Sequence, residues 1–133
     1  GAIIHIKVGD MDYPVLRIHK GRFNSAFNLT HICQQNQRVY FPNARIVVAE
    51  HGHIAEVKQT RYNNAECAYI RTGTYAVKDD YAEQNGFYGA YVANPVVVLY
   101  PNEDRMVVFK DMREGLIYLR AVRSGQAELK GVI

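Results

Sequence analysis

The sequence predicts a small α+β domain. Paired apolar runs separated by turn residues carry the β part, and one stretch where apolar residues switch to helical spacing carries the α part. The runs 3–8 and 13–19 flank Gly9-Asp10-Met11-Asp12, and the runs 54–60 and 67–71 flank Arg61-Tyr62-Asn63-Asn64. The runs 96–100 and 106–109 flank Pro101-Asn102-Glu103-Asp104. β-branched and aromatic runs bounded by such residues read as antiparallel hairpins. The chain has 133 residues, 48% of them hydrophobic, enough for one buried core, and it shows no repeat or low-complexity linker. Residues 1–133 therefore read as a single domain.

The elements follow in order. Ile3-Ile4-His5-Ile6-Lys7-Val8 opens the first hairpin, and its return strand sets Val15, Arg17 and His19 opposite Leu16 and Ile18. Pro14 fits the beginning or edge of a strand, where no ladder hydrogen bond is lost. Asn24-Ser25 or Asn28 then caps a short helix, since their side chains can accept from the free amides of a first turn. Leu29, Ile32 and Cys33 recur at helical spacing and face the core, while Gln34, Gln35 and Gln37 face outward. Pro42 disfavours helix in the residue before it, which predicts an end ahead of Val39-Tyr40-Phe41. Periodicity does not choose between strand and helix for residues 43–50. Asp79 or Asp80 caps a second helix start, weakened beyond by Gly86 and Gly89. After the third hairpin, Leu116-Ile117-Tyr118-Leu119-Arg120-Ala121-Val122 reads as a further strand, which gives the domain a β-rich C-terminal extension.

Charge narrows the partners. The net charge is +3, and it is uneven: residues 1–75 hold nine Lys/Arg against five Asp/Glu, and residues 76–133 hold seven against eight. A basic first half suits a polyanion and equally suits an ordinary solvated surface. Two cysteines make no disulfide framework and read as buried thiols. No stretch combines the basic start, apolar run and small-residue cleavage site of a signal peptide, and the longest apolar run, 95–100, is far short of a membrane span. The expectation is an intracellular domain with no membrane partner.

Little points to catalysis. His51 and His53 with Cys33 and Cys67 have zinc-ligand chemistry but lack its spacing, so no metal and no other cofactor is expected. A Cys–His nucleophile pair lacks an exposed elbow. The carboxylate pairs Asp79-Asp80 and Glu103-Asp104 sit beside turns and helix starts, where capping explains them. The aromatic run Tyr75, Tyr81, Phe87, Tyr88 and Tyr91 suits base stacking or, more commonly, packing. The expectation is a protein that is not an enzyme.

Phe27-Asn28-Leu29-Thr30-His31-Ile32-Cys33 resembles the Asn-Ala-Thr-plus-hydrophobic signature opening the first helix of KilA-N and APSES DNA-binding domains. A strand pair precedes it, as in that family. Gly73-Thr74-Tyr75-Ala76-Val77 follows where the family has Gly-Thr-Trp/Tyr-hydrophobic-Pro, and Tyr81-Ala82-Glu83-Gln84-Asn85-Gly86 resembles the helix after it. The chain departs in Leu29, in the missing Pro after Tyr75, and in having only Arg38 and Arg45 where the family clusters cations. The resemblance covers roughly residues 10–100.

It implies a winged-helix-like domain that binds double-stranded DNA sequence-specifically in transcriptional or chromosomal regulation, in the nucleus of a eukaryote or the cytoplasm of a bacterium or phage. The hairpin over 54–71 corresponds to the wing and brings Lys58, Gln59, Arg61 and Arg71 to DNA. Gln34, Gln35, Arg38 and Arg45 lie near the backbone or major groove. Lys and Arg would neutralise phosphates, and Gln would pair with adenine. The alternative is a non-enzymatic β-rich structural or protein-interaction module, viral or phage in origin, that self-associates or binds a protein through its C-terminal strands, with Val96-Val97-Val98-Leu99 as an open edge.

Overall fold

Two hairpins and one short central strand make the main sheet. In the computed structural model, residues 2–19, 30–50, 55–72 and 94–125 are described. Strands β1 (Ala2–Val8) and β2 (Met11–Ile18) pair antiparallel, as do β4 (Glu56–Tyr62) and β5 (Ala65–Arg71). Between the pairs lies β3 (Ile46–Ala49), parallel to both β2 and β5, so the order is β1-β2-β3-β5-β4. The region that periodicity left undecided is thus a four-residue strand. Strands β6 (Val96–Leu99) and β7 (Met106–Phe109) form a separate antiparallel pair. Helix α1 (His31–Tyr40) joins β2 to β3, and helix α2 (Met112–Arg123) follows β7.

The turns follow from their residues. Asn63 and Asn64 both have positive φ, 57° and 61°, as a two-residue type I′ turn requires, and Asn tolerates this conformation. Gly9 has φ 59°, and a Cβ there would lie 2.7 Å from both Cβ and O of Pro101. Glycine is therefore demanded twice, by conformation and by the close approach of the β6–β7 turn. Pro14 lies inside β2, which is not an edge, contrary to expectation. Its missing N–H costs nothing because the ladder to β3 begins one residue later, at Val15–Ile46. Its carbonyl accepts from the Arg45 amide at 2.7 Å.

Both faces of the sheet are covered, which explains why the middle strand, β3, is apolar throughout. On one face Leu16, Ile18, Val47, Ala49, Cys67 and Tyr69 pack with Ile32 and Cys33 of α1. On the other, Tyr13, Ile46, Ala68 and Ile70 pack with Met106, and Val97, Leu99 and Val108 close over them. Burying one such aliphatic side chain is worth about 1.5–3 kcal/mol. The Tyr13 hydroxyl fastens the second layer: it donates to the Tyr100 carbonyl at 2.6 Å, with the Glu103 and Arg105 carbonyls at 3.0 and 3.1 Å.

Three further expectations are corrected. Residues 116–122 are not a strand but the middle of α2. Asp111 caps this helix by accepting from the Arg113 amide at 2.9 Å, Glu114 stands in the first turn, and Arg120 and Arg123 stand in the last, matching the helix dipole. Gly115 packs on Val96, and Tyr118 lies 5.2 Å from the Phe109 ring. The C-terminal part is therefore a hairpin plus a helix. Second, α1 runs through Val39 and Tyr40, because Pro42 restricts only Phe41, whose φ of −141° and ψ of 70° already leave the helix. Third, Gln37 points inward and is fully buried. Ile32 and Cys33 face the core as expected, and Thr30 is the N-cap residue without a side-chain cap bond. Asn24, Ser25, Asn28, Leu29 and the start at Asp79-Asp80 lie outside the described residues.

Candidate nucleic-acid interface

Strand alternation sorts the seven DNA-contact residues expected from the sequence, with Gln34, onto two sides of the sheet. Val57 packs on the β6–β7 side and Tyr62 on the α1 side, so Lys58 shares the α1 side and Gln59 and Arg61 share the other. Arg71 follows Tyr69 and Cys67 onto the α1 side. On α1 the buried positions are Ile32, Cys33, Asn36 and Gln37, so His31, Gln34, Gln35 and Arg38 form the outward stripe.

Three of the seven are committed to internal contacts. Arg45 is largely buried, with its side chain 12% exposed; it pairs with Asp104, donates from Nε to the Glu66 carbonyl at 2.7 Å, and lies 5.6 Å from the Tyr13 ring centre. Gln59 works as a peptide group: its Nε2 donates to the Met106 carbonyl at 2.8 Å and its Oε1 accepts from the Val108 amide at 3.3 Å. It thereby ties β4 to β7. Arg61 lies 3.5 Å from Glu66 directly across the hairpin and donates to the Asn64 carbonyl at 3.3 Å.

The remaining four lie on the α1 side, with Arg38 at the turn end of the β4–β5 hairpin and Arg71 at its other end, directly across from Glu56. Arg38 is exposed, stacks 4.9 Å over the Tyr62 ring, and is met by Gln34, whose amide oxygen accepts from it at 2.9 Å when turned toward the guanidinium. That stacking orients the cation without neutralising it. Lys58 is exposed on the neighbouring strand, and Gln35 is half-exposed. No carboxylate occurs in α1, and among the described residues no ion pair engages Arg38 or Lys58. The acidic Glu50 is occupied elsewhere: Arg17 at 2.5 Å and His19 at 3.1 Å hold its carboxyl down to about 2, the Arg17 hydrogen bond being the larger cause.

Cys33 and Cys67 are free and buried. Burial pushes the Cys33 thiol up to about 12, against the thiolate a nucleophile needs. Among the described residues no His, Cys, Asp or Glu cluster could hold a metal, and His51 and His53 lie outside them. No helix of the described residues is long and apolar enough to cross a membrane. No family model, curated protein or solved structure matches the chain.

One group of cations escaped the sequence reading. Arg113, Arg120 and Arg123 lie on the exposed side of α2, beside exposed Met112, Leu116 and Ile117. Reading this stretch as a strand hid them. The signal was Asp111 ahead of apolar residues at 112, 116 and 119, a cap followed by helical spacing.

Proposed function

We propose that the domain binds double-stranded DNA, through the outward stripe of α1 and the adjoining surface of β4 and β5. Arg38, Lys58 and Arg71 neutralise phosphates, and Gln34 and Gln35 reach base edges. The observation that carries this reading is the composition of that surface: Gln34, Gln35 and Arg38 on a helix that contains no carboxylate, beside an exposed lysine. A short helix offering side-chain amides and one guanidinium has the donors that adenine edges and phosphate oxygens accept. The order strand pair, helix, short strand, hairpin supports the winged-helix reading, from which a regulatory role is proposed. In that reading β4 and β5 stand in the place of the wing, here built into the sheet by pairing with β3. Arg45, Gln59 and Arg61 are assigned to holding the fold instead.

The test is fluorescence anisotropy of a labelled random duplex across a salt series. Binding should weaken as salt rises, with log K falling by about 0.9 per neutralised phosphate for each unit of log salt. The triple variant Arg38→Ala, Lys58→Ala, Arg71→Ala should flatten that slope by up to about 3. Absence of binding at low salt, or affinity indifferent to salt, overturns the proposal.

A further inference from the structure

The two edges of the main sheet are unlike. β4 is guarded: it carries Glu56, Lys58 and Arg61, and Gln59 fastens it to β7. Such charges and cover are what keep sheet edges from pairing. β1 has neither. Its only charged residue is Lys7, Ile4 and Ile6 are 52% and 39% exposed, and no other described strand pairs with its outer side.

The backbone of β1 is set for a further strand. The Pro14 carbonyl is used by the Arg45 amide and the Ile18 carbonyl by the Glu50 amide, so even-numbered residues of β2 bond toward β3 and odd-numbered ones toward β1. In the β1–β2 register, Ile4 and Ile6 face Val15 and Tyr13, while Ile3, His5 and Lys7 face Leu16, Pro14 and Asp12. The N–H and C=O groups of Ile3, His5 and Lys7 therefore point away from the sheet.

We propose that β1 pairs antiparallel with β1 of a second copy about a two-fold axis at His5, joining two five-stranded sheets into one. This register uses all of Ala2–Val8. His5 faces His5 of the second copy and Ile3 faces Lys7, each as a hydrogen-bonded pair using the outward groups. Ile4 faces Ile6 as the non-hydrogen-bonded pair, in which side chains come closest. Four isoleucines then meet on the β6–β7 side, next to Val8 and Met11 of the second core cluster. The two Lys7 side chains stay apart, and each facing His5 ring lies 2.9 Å from the Asp12 carboxylate of its own copy. The strand is thus self-complementary, which is what an isologous two-fold contact requires.

Sedimentation and cross-linking test this. At ~100 µM the chain should sediment as a dimer that dissociates on dilution. Ile4→Lys and Ile6→Lys, both at exposed positions, should raise the dissociation constant more than tenfold with unchanged circular dichroism. Under mild oxidation His5→Cys should form a disulfide dimer, its Cα atoms about 5.5 Å apart in a hydrogen-bonded pair. Lys7→Cys should not, because this register sets the two Lys7 about 14 Å apart along the strands. A monomer at ~100 µM overturns the proposal. Dimers indifferent to both lysine substitutions, or equal cross-linking at positions 5 and 7, overturn it too.

Discussion

Gln37 is the side chain whose replacement should be felt most clearly. It is fully buried between α1 and the sheet. Its Nε2 donates to the Ala44 carbonyl at 2.7 Å and lies 3.3 Å from Cys67 Sγ, and its Oε1 accepts from the Tyr69 hydroxyl. Gln37→Met keeps the length of the side chain and removes its polar end. The Tyr69 hydroxyl then loses its partner and the Ala44 carbonyl keeps only the weak Cys67 thiol donor at 3.9 Å, at up to about 1–3 kcal/mol each. The expected loss is about 2–5 kcal/mol in urea unfolding, with an unchanged slope. Tyr69→Phe alone should cost less, because it leaves unpaired only Oε1 of Gln37. In the double variant the orphaned hydroxyl is gone, so Gln37→Met, Tyr69→Phe should be more stable than Gln37→Met by about 1–3 kcal/mol. A double variant no more stable than Gln37→Met refutes the reasoning, since the hydroxyl would then owe nothing to the glutamine.

Gly9→Ala should destabilise by more than about 1–2 kcal/mol, the cost of left-handed backbone alone, because its Cβ also meets Pro101; a thermal melt within error of the wild type would contradict this. Both thiols should resist Ellman's reagent at ~pH 8 in the folded protein and react after unfolding, since both are buried and Cys33 stays protonated up to about 12; rapid labelling of Cys33 in the native state would count against its burial. Glu50 has a folded-state value lowered to about 2 from an ordinary 4.5, so its stabilising pairs are complete above the ordinary value and vanish as pH falls toward about 2. Glu50→Gln should accordingly be less stable than wild type at ~pH 6 and equal to it near ~pH 2, and a gap that persists unchanged in acid would exclude this linkage.

Local chemistry was legible in the sequence, and contacts between distant segments were not. Asn63-Asn64 and Pro101-Asn102-Glu103-Asp104 announced two hairpins because turn geometry depends on the residues in the turn. Ile32 and Cys33 announced the inner side of α1 because helical spacing is local. Gln37 did not, because its burial depends on Tyr69 and Ala44, partners brought up by the sheet. Gln59 and Arg45 looked like residues for a polyanion, yet each finds its counterpart in the β6–β7 hairpin, 47 residues on at Met106 and 59 on at Asp104. Leu116 to Val122 misled for another reason: Leu, Ile, Tyr and Val suit either structure. The capping aspartate and Gly115, placed where only a small residue clears Val96, decide for helix. Arg45 and Gln59 mark the limit of local pattern: packing between segments distant along the chain recruits side chains that the sequence alone leaves on the surface.

The four residues of β3 have a consequence for how the molecule assembles. Each flanking hairpin closes over a two-residue loop and can form early, but a lone hairpin is at best marginal in water. They join only when Ile46–Ala49 slots between β2 and β5, and both of those ladders are parallel and non-local. Closing them carries the loop entropy of residues distant along the chain before any contact repays it. We expect the arrival of the shortest strand in the main sheet to limit the rate of folding. Until it arrives, the inner margins of β2 and β5 are exposed, and the chain is most vulnerable to pairing with the wrong neighbour.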